Sequence, residues 1–291
     1  MKKIKVYSSQ FNYQYGTSIH FPYSVASLFS YVNSFPELKK RFQYETTFIF
    51  RNKLEEYVER IKDPDILICS CYVWNWEITN MLAKRDMLVH QEGEYTVKQV
   101  FEEFLKDKNY AKINGLETKS YKTLPQTRIK SLDEIPSAYL NNMVLDLVEP
   151  VEGVDYIAAW ETNRGCPFSC TFCDWGSATK TSVRRWGMDR LFDEIEWFEL
   201  AKKLKSEKLE KGFPGRIRPA WAKISSDKII PIAKELLDAD LLRAVTLAVQ
   251  SLDPNTLNII KRKNIKFDQF SVLVQKFRKE KIENYTEIIM G

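Results

Sequence analysis

The chain has 291 residues but only two histidines, and it has no apolar stretch long enough to span a bilayer. A transmembrane helix needs about 20 consecutive, mostly apolar residues, so we expect no membrane span. The N-terminus turns polar at Ser8 and lacks the apolar core of a signal peptide. Internal repeats and low-complexity segments are also missing, which excludes the repeat architectures.

No charge of one sign dominates the chain. Its 44 Lys and Arg residues stand against 39 Asp and Glu residues, and the formal net charge is +5. The basic residues do not gather into long runs, so the sequence predicts a mixed solvated surface and disfavours nucleic-acid binding. Hydrophobic residues make up 44% of the chain, which suits one large or two medium globular domains.

The cysteine count is also low, at five, and it is odd. Three of the five lie within eight residues, in the run Cys166-x3-Cys170-x2-Cys173. This grouping argues against a disulfide framework and indicates a reducing intracellular setting, so we expect a cytoplasmic protein.

Three thiolates on one short loop can hold three irons of a 4Fe–4S cluster and leave the fourth iron open to a small molecule. Positive charge favours the thiolate form, and Arg164, Arg184 and Arg185 flank the loop. A zinc site is the competing interpretation, but a closed structural zinc site takes four ligands. An electron carrier is a third, although a carrier normally saturates every iron with protein ligands. The remaining cysteines and histidines lie far along the chain, at Cys69, Cys71, His20 and His90.

Short apolar runs alternate with amphipathic helical patterns along the chain, which predicts an α/β fold. Residues 1–110 predict a small doubly wound domain of the Rossmann-like, or flavodoxin-like, type. Prolines punctuate residues 111–154, and we predict a linker there. Residues 155–291 begin with a predicted strand, 156–162, that leads directly into the cysteine loop. Predicted helices at 188–209, 254–263 and 267–279 alternate with further strands after it.

The cysteine run, with Phe172 before its last member, resembles the signature of the radical S-adenosylmethionine (radical SAM) superfamily. The resemblance implies a partial (β/α) barrel over residues 155–291, with its site at the C-terminal ends of the strands. It also implies that Cys166, Cys170 and Cys173 hold a 4Fe–4S cluster whose open iron binds S-adenosylmethionine. In this family one electron from the cluster cleaves a carbon–sulfur bond of S-adenosylmethionine, and the resulting radical abstracts hydrogen from a substrate.

Further matches to this family lie downstream of the loop. The segment 246–254 resembles the family's fourth barrel strand, and the resemblance implies that Gln250 and Arg262 contact S-adenosylmethionine. Glu287 takes the place of an acidic residue that bonds the ribose, and Phe172 is expected to flank the adenine.

Residues 1–110 resemble the cobalamin-binding domain that precedes the barrel in one large subgroup, which makes cobalamin a candidate third cofactor. The cobalt-ligating pattern D-x-H-x-x-G is incomplete, because His90 and Gly93 are present but Leu88 replaces the aspartate. Cobalamin is therefore expected to bind without a histidine on cobalt. We predict that Cys69 and Cys71 pack as small buried residues, and that the tryptophans belong to the core or to domain interfaces.

Two departures from the family pattern affect the expected activity. Between Cys173 and Arg216 the sequence has no glycine-rich turn of the kind that binds the amino group of S-adenosylmethionine. The predicted barrel also stops after about five strands, so we expect a shortened or fragmentary member. The leading hypothesis is an enzyme that modifies or methylates a small-molecule or otherwise unknown substrate by radical chemistry. An electron donor such as a flavodoxin or ferredoxin is expected to reduce it. The alternative is a non-catalytic remnant that keeps an iron–sulfur cluster.

Overall fold

A computed structural model describes residues 3–173, 181–206, 214–220 and 229–288, and the chain divides into two compact units. Unit 1 comprises residues 1–158 with 204–214, and unit 2 comprises residues 159–203 with 215–291. Among the described residues, no helix combines the length and apolar character that crossing a membrane requires.

Unit 1 is an α/β unit whose helices pack around a parallel sheet. Its strands are β1 (Ile4–Asn12), β2 (Ser18–His20), β3 (Phe42–Tyr44), β4 (Phe48–Phe50), β5 (Ile66–Cys69), β6 (Met87–Val89) and β7 (Leu116–Thr118). Its helices are α1 (Tyr23–Asn33), α2 (Pro36–Lys39), α3 (Leu54–Arg60), α4 (Trp76–Leu82), α5 (Glu94–Phe104) and α6 (Met143–Asp146).

Strand β1 is the centre of the main sheet. It pairs in parallel with β3 and β4 along one edge and with β5 along the other. Its last seven residues are all buried, as expected for a strand covered on both faces. The chain passes from strands on one side of β1 to a strand on the other, and the carboxyl ends of β1, β4 and β5 lie at the same edge of the sheet. In such sheets this position usually forms the crevice in which ligands bind.

Gln10 of β1 is a buried polar residue that bonds to a neighbouring helix. Gln10 Oε1 accepts from the backbone N–H groups of Ser24 and Val25 at 3.1 and 3.3 Å. These N–H groups lie in the first turn of helix α1, where backbone N–H groups have no carbonyl partner within the helix. A side chain of the central strand therefore caps the helix that covers it.

The β6 strand does not join the parallel sheet of the predicted doubly wound domain. It pairs antiparallel with β7, which follows α5 in the chain, and forms a separate two-stranded sheet. The sequence could not predict this partner, because β7 is only three residues long and follows a region without clear periodicity.

The segment predicted as a linker is packed within unit 1. Tyr139 is fully buried and stacks on Tyr23 of α1, with ring centroids 5.6 Å apart. The Leu147 carbonyl accepts the backbone N–H of Thr47 at 2.8 Å, beside β4. The boundaries 1–110, 111–154 and 155–291 stay a prediction, although residues 111–158 contribute to the core of unit 1.

Unit 2 contains the cysteine loop and the downstream strands. Its strands are β8 (Asp155–Glu161, which begins in unit 1), β9 (Asn163–Arg164), β10 (Arg184–Arg185), β11 (Pro214–Ala220), β12 (Val245–Gln250) and β13 (Asn284–Ile288). Its helices are α7 (Met188–Ser206), α8 (Ile229–Asp238), α9 (Pro254–Ile259) and α10 (Phe267–Lys279). The predicted end of the α7 helix at Leu209 lies outside the described residues.

Strands β12 and β13 are parallel neighbours, joined by a crossover through α9 and α10. Parallel strands need such a crossover, and this one packs its own apolar face against the sheet. Leu273 and Phe277 of α10 are buried against Val245 and Leu247 of β12. This core holds the carboxyl ends of β12 and β13 side by side.

Helix α7 is fixed to β8 by a buried polar contact. The indole Nε1–H of Trp160 donates to Glu194 Oε2 at 2.6 Å, and both residues are almost fully buried. Arg190 supplies the countercharge, with its Nε 3.1 Å from Glu194 Oε1. A buried carboxylate requires such partners, and here they orient the helix that follows the cysteine loop.

Candidate functional site

A short antiparallel ribbon joins the two ends of the cysteine loop in unit 2. Strand β9, just before the loop, pairs with β10, just after it, and Arg164 lies opposite Arg184. Gly165 has a φ of +97° and no space for a side chain, since an added Cβ would collide with the Ser182 carbonyl oxygen. A glycine is therefore required immediately before Cys166.

Hydrogen bonds fix the first cysteine to the far end of the loop. The Thr181 backbone N–H donates to the Cys166 carbonyl at 2.9 Å, and the Cys166 N–H donates to Thr181 Oγ1 at 3.3 Å. At the other end of the cysteine run, the Cys173 N–H donates to the Cys170 carbonyl at 3.1 Å. Residues 174–180 between these anchors lie outside the described part of the chain.

The three cysteines differ in exposure, and none of them is in a disulfide. Cys166 and Cys170 are buried, whereas Cys173 is half-buried. The last of the three therefore lies nearest to solvent, beside Phe172, whose side chain is 45% exposed.

A positive charge from far along the chain lies against the Cys170 sulfur. Nη1 of Arg262 lies 3.9 Å from the Cys170 sulfur, within donor range for sulfur, and Arg262 is only 5% exposed. A backbone bond reinforces this junction, because the Thr171 N–H donates to the Ile260 carbonyl at 3.0 Å. Two regions separated by 92 residues in sequence are thus joined at the cysteine run.

Arg164, one of the arginines that flank the loop in sequence, contacts residues beside the ribbon. Arg164 lies 3.1 Å from Glu161 and stacks over Trp186, with its guanidinium carbon 5.3 Å from the ring centroid. Arg190 covers the same ring at 5.0 Å. The stacking of both guanidinium groups on Trp186 holds the β9–β10 ribbon in place.

Gln250, a predicted S-adenosylmethionine contact, ends strand β12 in a left-handed conformation with a φ of +67°. Asn264 fixes this bend, because its Nδ2 group donates to the carbonyls of Val249 and Ser251 at 2.6 and 2.7 Å. Non-glycine residues adopt this conformation at a cost, so the surrounding bonds must hold it. Gln250 itself is buried, at 9% exposure.

Glu287 lies one strand away, on β13, where its backbone pairs with Ala248 of β12. Its side chain is exposed, as is that of Phe172 in the cysteine run. Unit 2 thus brings Cys170, Arg262 and the strand end at Gln250 together. Roles for Glu287 and Phe172 in binding a cofactor stay predictions.

Sequence reasoning missed Asn264 and the β9–β10 ribbon. Asn264 follows three basic residues, so the segment has the composition of a solvated loop. The ribbon strands have two residues each, too few to show an alternating pattern. The glycine-rich turn sought between Cys173 and Arg216 would fall partly on residues 174–180 and 207–213, outside the described ranges.

The described residues do not support a single-ion metal site. Among them, no group of three or more His, Cys, Asp or Glu side chains is arranged to hold a metal ion. Each thiolate of a 4Fe–4S cluster binds a different iron, so a cluster does not require three ligands on one ion.

The remaining cysteines and histidines lie in unit 1. Burial raises the pKa of the Cys69 thiol to about 11, and partial desolvation raises that of Cys71, although this residue lies at the surface. Cys71 is exposed, so its predicted burial is wrong. His90 Nε2 lies 2.9 Å from Glu117 Oε2 on the β6–β7 pair, and His20 lies in β2.

Unit 1 has an exposed aromatic face at the carboxyl ends of its central strands. Tyr72 and Trp74 follow β5 and stack with centroids 4.4 Å apart. Arg51 follows β4, covers the ring of Tyr13 at 4.5 Å and donates to the Trp74 carbonyl at 2.7 Å. Trp74 and Trp76 are 49% and 41% exposed, so the core alternative is wrong for these two tryptophans, and the domain-interface alternative stays a prediction. We call Tyr13, Arg51, Tyr72, Trp74 and Trp76 the aromatic face.

No protein-family model matches the chain. The chain is 32% identical to a 2-(S-pantetheinyl)-carbapenam-3-carboxylate methyltransferase from Streptantibioticus cattleyicolor, over 93% of this chain and 48% of that protein. It is 33% identical to the cobalamin-dependent radical SAM methyltransferase TokK from Streptomyces tokunonensis, over 82% of this chain and 44% of TokK. The chain therefore spans about half the length of these curated relatives.

Two solved structures share the fold. OxsB, a cobalamin-dependent S-adenosylmethionine radical enzyme solved with aqua-cobalamin, matches 99% of this chain with a TM-score of 0.64 and 13% identity. TsrM from Kitasatospora setae, a radical S-adenosylmethionine methyltransferase solved with cobalamin and a [4Fe-4S] cluster, matches 100% with a TM-score of 0.63 and 13% identity. The match covers 50% of the OxsB chain and 67% of the TsrM chain. The solved structures show that the chain shares their fold. The sequence relatives show that it belongs to the radical SAM superfamily, in the subgroup with an N-terminal cobalamin-binding domain.

Proposed function

We propose that this chain holds a 4Fe–4S cluster through Cys166, Cys170 and Cys173, and binds S-adenosylmethionine at the iron without a thiolate. The contact between buried Arg262 and Cys170 carries the proposal, because it brings a residue predicted for the cofactor site against the cysteine run. When bound, the cluster and S-adenosylmethionine supply one-electron cleavage of a carbon–sulfur bond.

The residues of unit 2 have complementary tasks in this proposal. Burial of Cys166 and Cys170 excludes water from most of the cluster site, and Arg262 offsets part of the thiolate charge. Gln250 and Glu287, at the ends of neighbouring parallel strands, are proposed to orient S-adenosylmethionine, and Phe172 to flank its adenine. Barrels of this type place their ligands at that end of the strands.

Cobalamin is the proposed ligand of the aromatic face of unit 1. The face lies at the crevice where the strand order reverses, and its exposed rings offer a broad apolar surface to a flat macrocycle. Its members include no histidine, and His90 bonds to Glu117 on the separate β6–β7 sheet. The corrin ring would therefore rest on aromatic side chains without histidine ligation of cobalt.

The proposed reaction is methylation of a small-molecule substrate, since both curated relatives are named methyltransferases. A reduced electron carrier such as a flavodoxin or ferredoxin is proposed as the electron source. We further propose a cytoplasmic location, which the odd and clustered cysteines favour.

Anaerobic reconstitution with iron and sulfide tests the cluster proposal. The expected result is a broad iron–sulfur absorption and an electron paramagnetic resonance signal that changes when S-adenosylmethionine is added. Cys170→Ala should abolish both, whereas Cys69→Ala, the matched change outside the loop, should leave both intact. A cluster without a response to S-adenosylmethionine, and without deoxyadenosine formation under dithionite, would identify a non-catalytic remnant.

A separate titration tests cobalamin binding. Hydroxocobalamin added to the full chain should be retained through gel filtration, and Trp74→Ala should reduce the retained fraction about tenfold or more, because a central aromatic contact is removed. Trp197→Ala in unit 2 serves as a control that should retain cobalamin. Equal retention by wild type and Trp74→Ala would remove the aromatic face from the proposal.

A further inference from the structure

The Arg262 guanidinium uses all three of its nitrogens on protein partners. Nε donates to Asn264 Oδ1 at 2.8 Å, and Nη2 donates to the Ala248 carbonyl at 2.5 Å. Nη1 faces the Cys170 sulfur at 3.9 Å. The guanidinium carbon also lies 6.0 Å from the Phe168 ring centroid, within the cysteine run. A planar group with fixed donors is suited to join several partners in one geometry.

Asn264 completes the arrangement from the other side. Its Oδ1 accepts from Arg262, while its Nδ2 group holds the carbonyls on both sides of Gln250. The two side chains therefore bond three carbonyls at the end of β12 and one sulfur of the cysteine run. We call Arg262 and Asn264 the clamp.

We propose that the clamp is a positioning device, in which Arg262 fixes Cys170 to the end of β12 and sets the reduction potential of the cluster that Cys170 holds. The role of Arg262 in setting the reduction potential rests on the proposed function, since it takes Cys170 as a cluster ligand. The S-adenosylmethionine contact expected from family resemblance stays a prediction for Arg262 and is not needed for this role.

The physical reason is the charge change on reduction. Reduction adds negative charge to a cluster, and a buried cation beside a ligand sulfur stabilises that added charge. Hydrogen bonds from ionised donors are also stronger than neutral ones, so the contact restrains the loop as well. Arg262 thus combines a mechanical effect, through its three bonded nitrogens, with an electrostatic effect through its charge.

Hydrogen–deuterium exchange of the cluster-free full chain tests the mechanical effect. Arg262→Gln should speed exchange of the Thr171 amide about tenfold, because loss of a charged hydrogen bond promotes local opening of the junction. Arg278→Gln, the same change at an exposed arginine of α10, should leave this amide unchanged. Unchanged Thr171 exchange in Arg262→Gln would overturn the mechanical role.

Potentiometric titration of the reconstituted cluster tests the electrostatic effect. At a fixed applied potential, Arg262→Gln should lower the ratio of reduced to oxidised cluster about tenfold, a shift of ~59 mV for one electron. Arg262→Lys keeps the charge without the planar fork, so it should retain most of the potential but exchange Thr171 faster. Equal potentials in wild type and Arg262→Gln, or equal shifts for the Gln and Lys variants, would overturn the charge role.

The two measurements separate failure of the inference from failure of the proposed function. If wild type loads no cluster, the proposed function fails, and the exchange experiment alone decides whether the clamp exists. If Arg262→Gln does not fold, Arg262→Lys takes its place in the exchange experiment. Wild-type exchange of the Thr171 amide in that variant would contradict the clamp.

Discussion

The two candidate sites of this chain use opposite kinds of surface. In unit 1 the carboxyl ends of β1, β4 and β5 present aromatic rings to solvent, and stacking holds those rings in place. In unit 2 the cysteine run and the end of β12 are buried and joined by hydrogen bonds from the clamp. A broad apolar surface suits a large flat ligand, whereas a buried polar junction suits a charged group that must be held in one geometry.

The contrast has consequences for stability. Exposed side chains contribute little to the folding free energy, so the aromatic face can change without unfolding unit 1. Buried polar junctions stabilise the fold only when every partner is satisfied, so unit 2 should tolerate few changes at its site. Paired substitutions, one in each unit, can break or sharpen this comparison.

The largest expected difference is between two tryptophans. Trp160→Ala should destabilise unit 2 by about 3–5 kcal/mol, because it opens a cavity and removes the donor to Glu194. Trp74→Ala should cost only about 1 kcal/mol, mainly the lost stacking on Tyr72. Urea unfolding measures both values. Equal costs for the two variants would contradict the distinction between a buried junction and an exposed binding face.

A second pair compares glycines with positive φ. Gly165→Ala should cost about 3 kcal/mol, because the strained backbone is combined with a collision against the Ser182 carbonyl. Gly153 in unit 1 has a φ of +76° and nothing within 4 Å of an added Cβ, so Gly153→Ala should cost about 1 kcal/mol.

Thermal unfolding measures both glycine variants, and the difference between them isolates the collision from the backbone strain. Iron content after reconstitution gives a second test, since only Gly165→Ala should lower it. If Gly153→Ala proves equally costly, the crowding at Gly165 is not what requires a glycine there.

A single substitution at Gln250 should raise folding stability and weaken S-adenosylmethionine binding. Gln250→Gly relieves the left-handed strain and should stabilise the protein by up to about 1 kcal/mol, while weakening S-adenosylmethionine binding. Asn142 of unit 1 also has a positive φ of 60°, but asparagine tolerates it, so Asn142→Gly should change stability less. Calorimetric unfolding and an S-adenosylmethionine titration measure the two effects. A destabilised Gln250→Gly would show that the amide side chain, rather than the backbone, matters for folding.

Elements with strong periodicity could be predicted from sequence. The predicted helix Phe267–Lys279 is confirmed with both ends correct, since its apolar residues recur at helical spacing. The predicted strand from Tyr156 is also confirmed, running from Asp155 to Glu161. The helix predicted from Pro254 to Lys263 ends early, at Ile259, because tertiary bonds of Arg262 and Asn264 override local propensity.

The cysteine run was evident from spacing, but the residues that surround it were not. Local patterns report burial and secondary structure, whereas the contact of Arg262 with Cys170 depends on how distant strands are arranged. Resemblance indicated Arg262 as a site residue, and only the structure revealed its partners. The exposure of Trp74 and Trp76 was not predicted, because large aromatic side chains are highly buried on average.

The smallest expected effect concerns two exposed carboxylates, one in each unit. Hydrogen bonding and charge from Lys122, and then from His90, lower the pKa of Glu117 in unit 1. Bonds from the backbone N–H and the hydroxyl of Thr256 lower the pKa of Asp253, which caps helix α9. Both groups therefore favour folding above their unfolded-state pKa values of 4.5 and 3.8, and this contribution disappears as the pH falls through the folded pKa.

Added salt should distinguish the charge pairs that lower the pKa of Glu117 from the hydrogen bonds that lower the pKa of Asp253. Screening at about 1 M ionic strength shortens the Debye length to ~3 Å, so the charge pairs of Glu117 weaken while the short cap bonds of Asp253 persist. Nuclear magnetic resonance titration of the side-chain carboxyl carbons should show the pKa of Glu117 rising with salt and that of Asp253 remaining low. A parallel rise of both would mean that general electrostatic potential, rather than local bonding, sets the pKa at the cap. Local hydrogen bonds would then contribute less to the polar contacts of unit 2 than the proposed role of Arg262 and Asn264 requires.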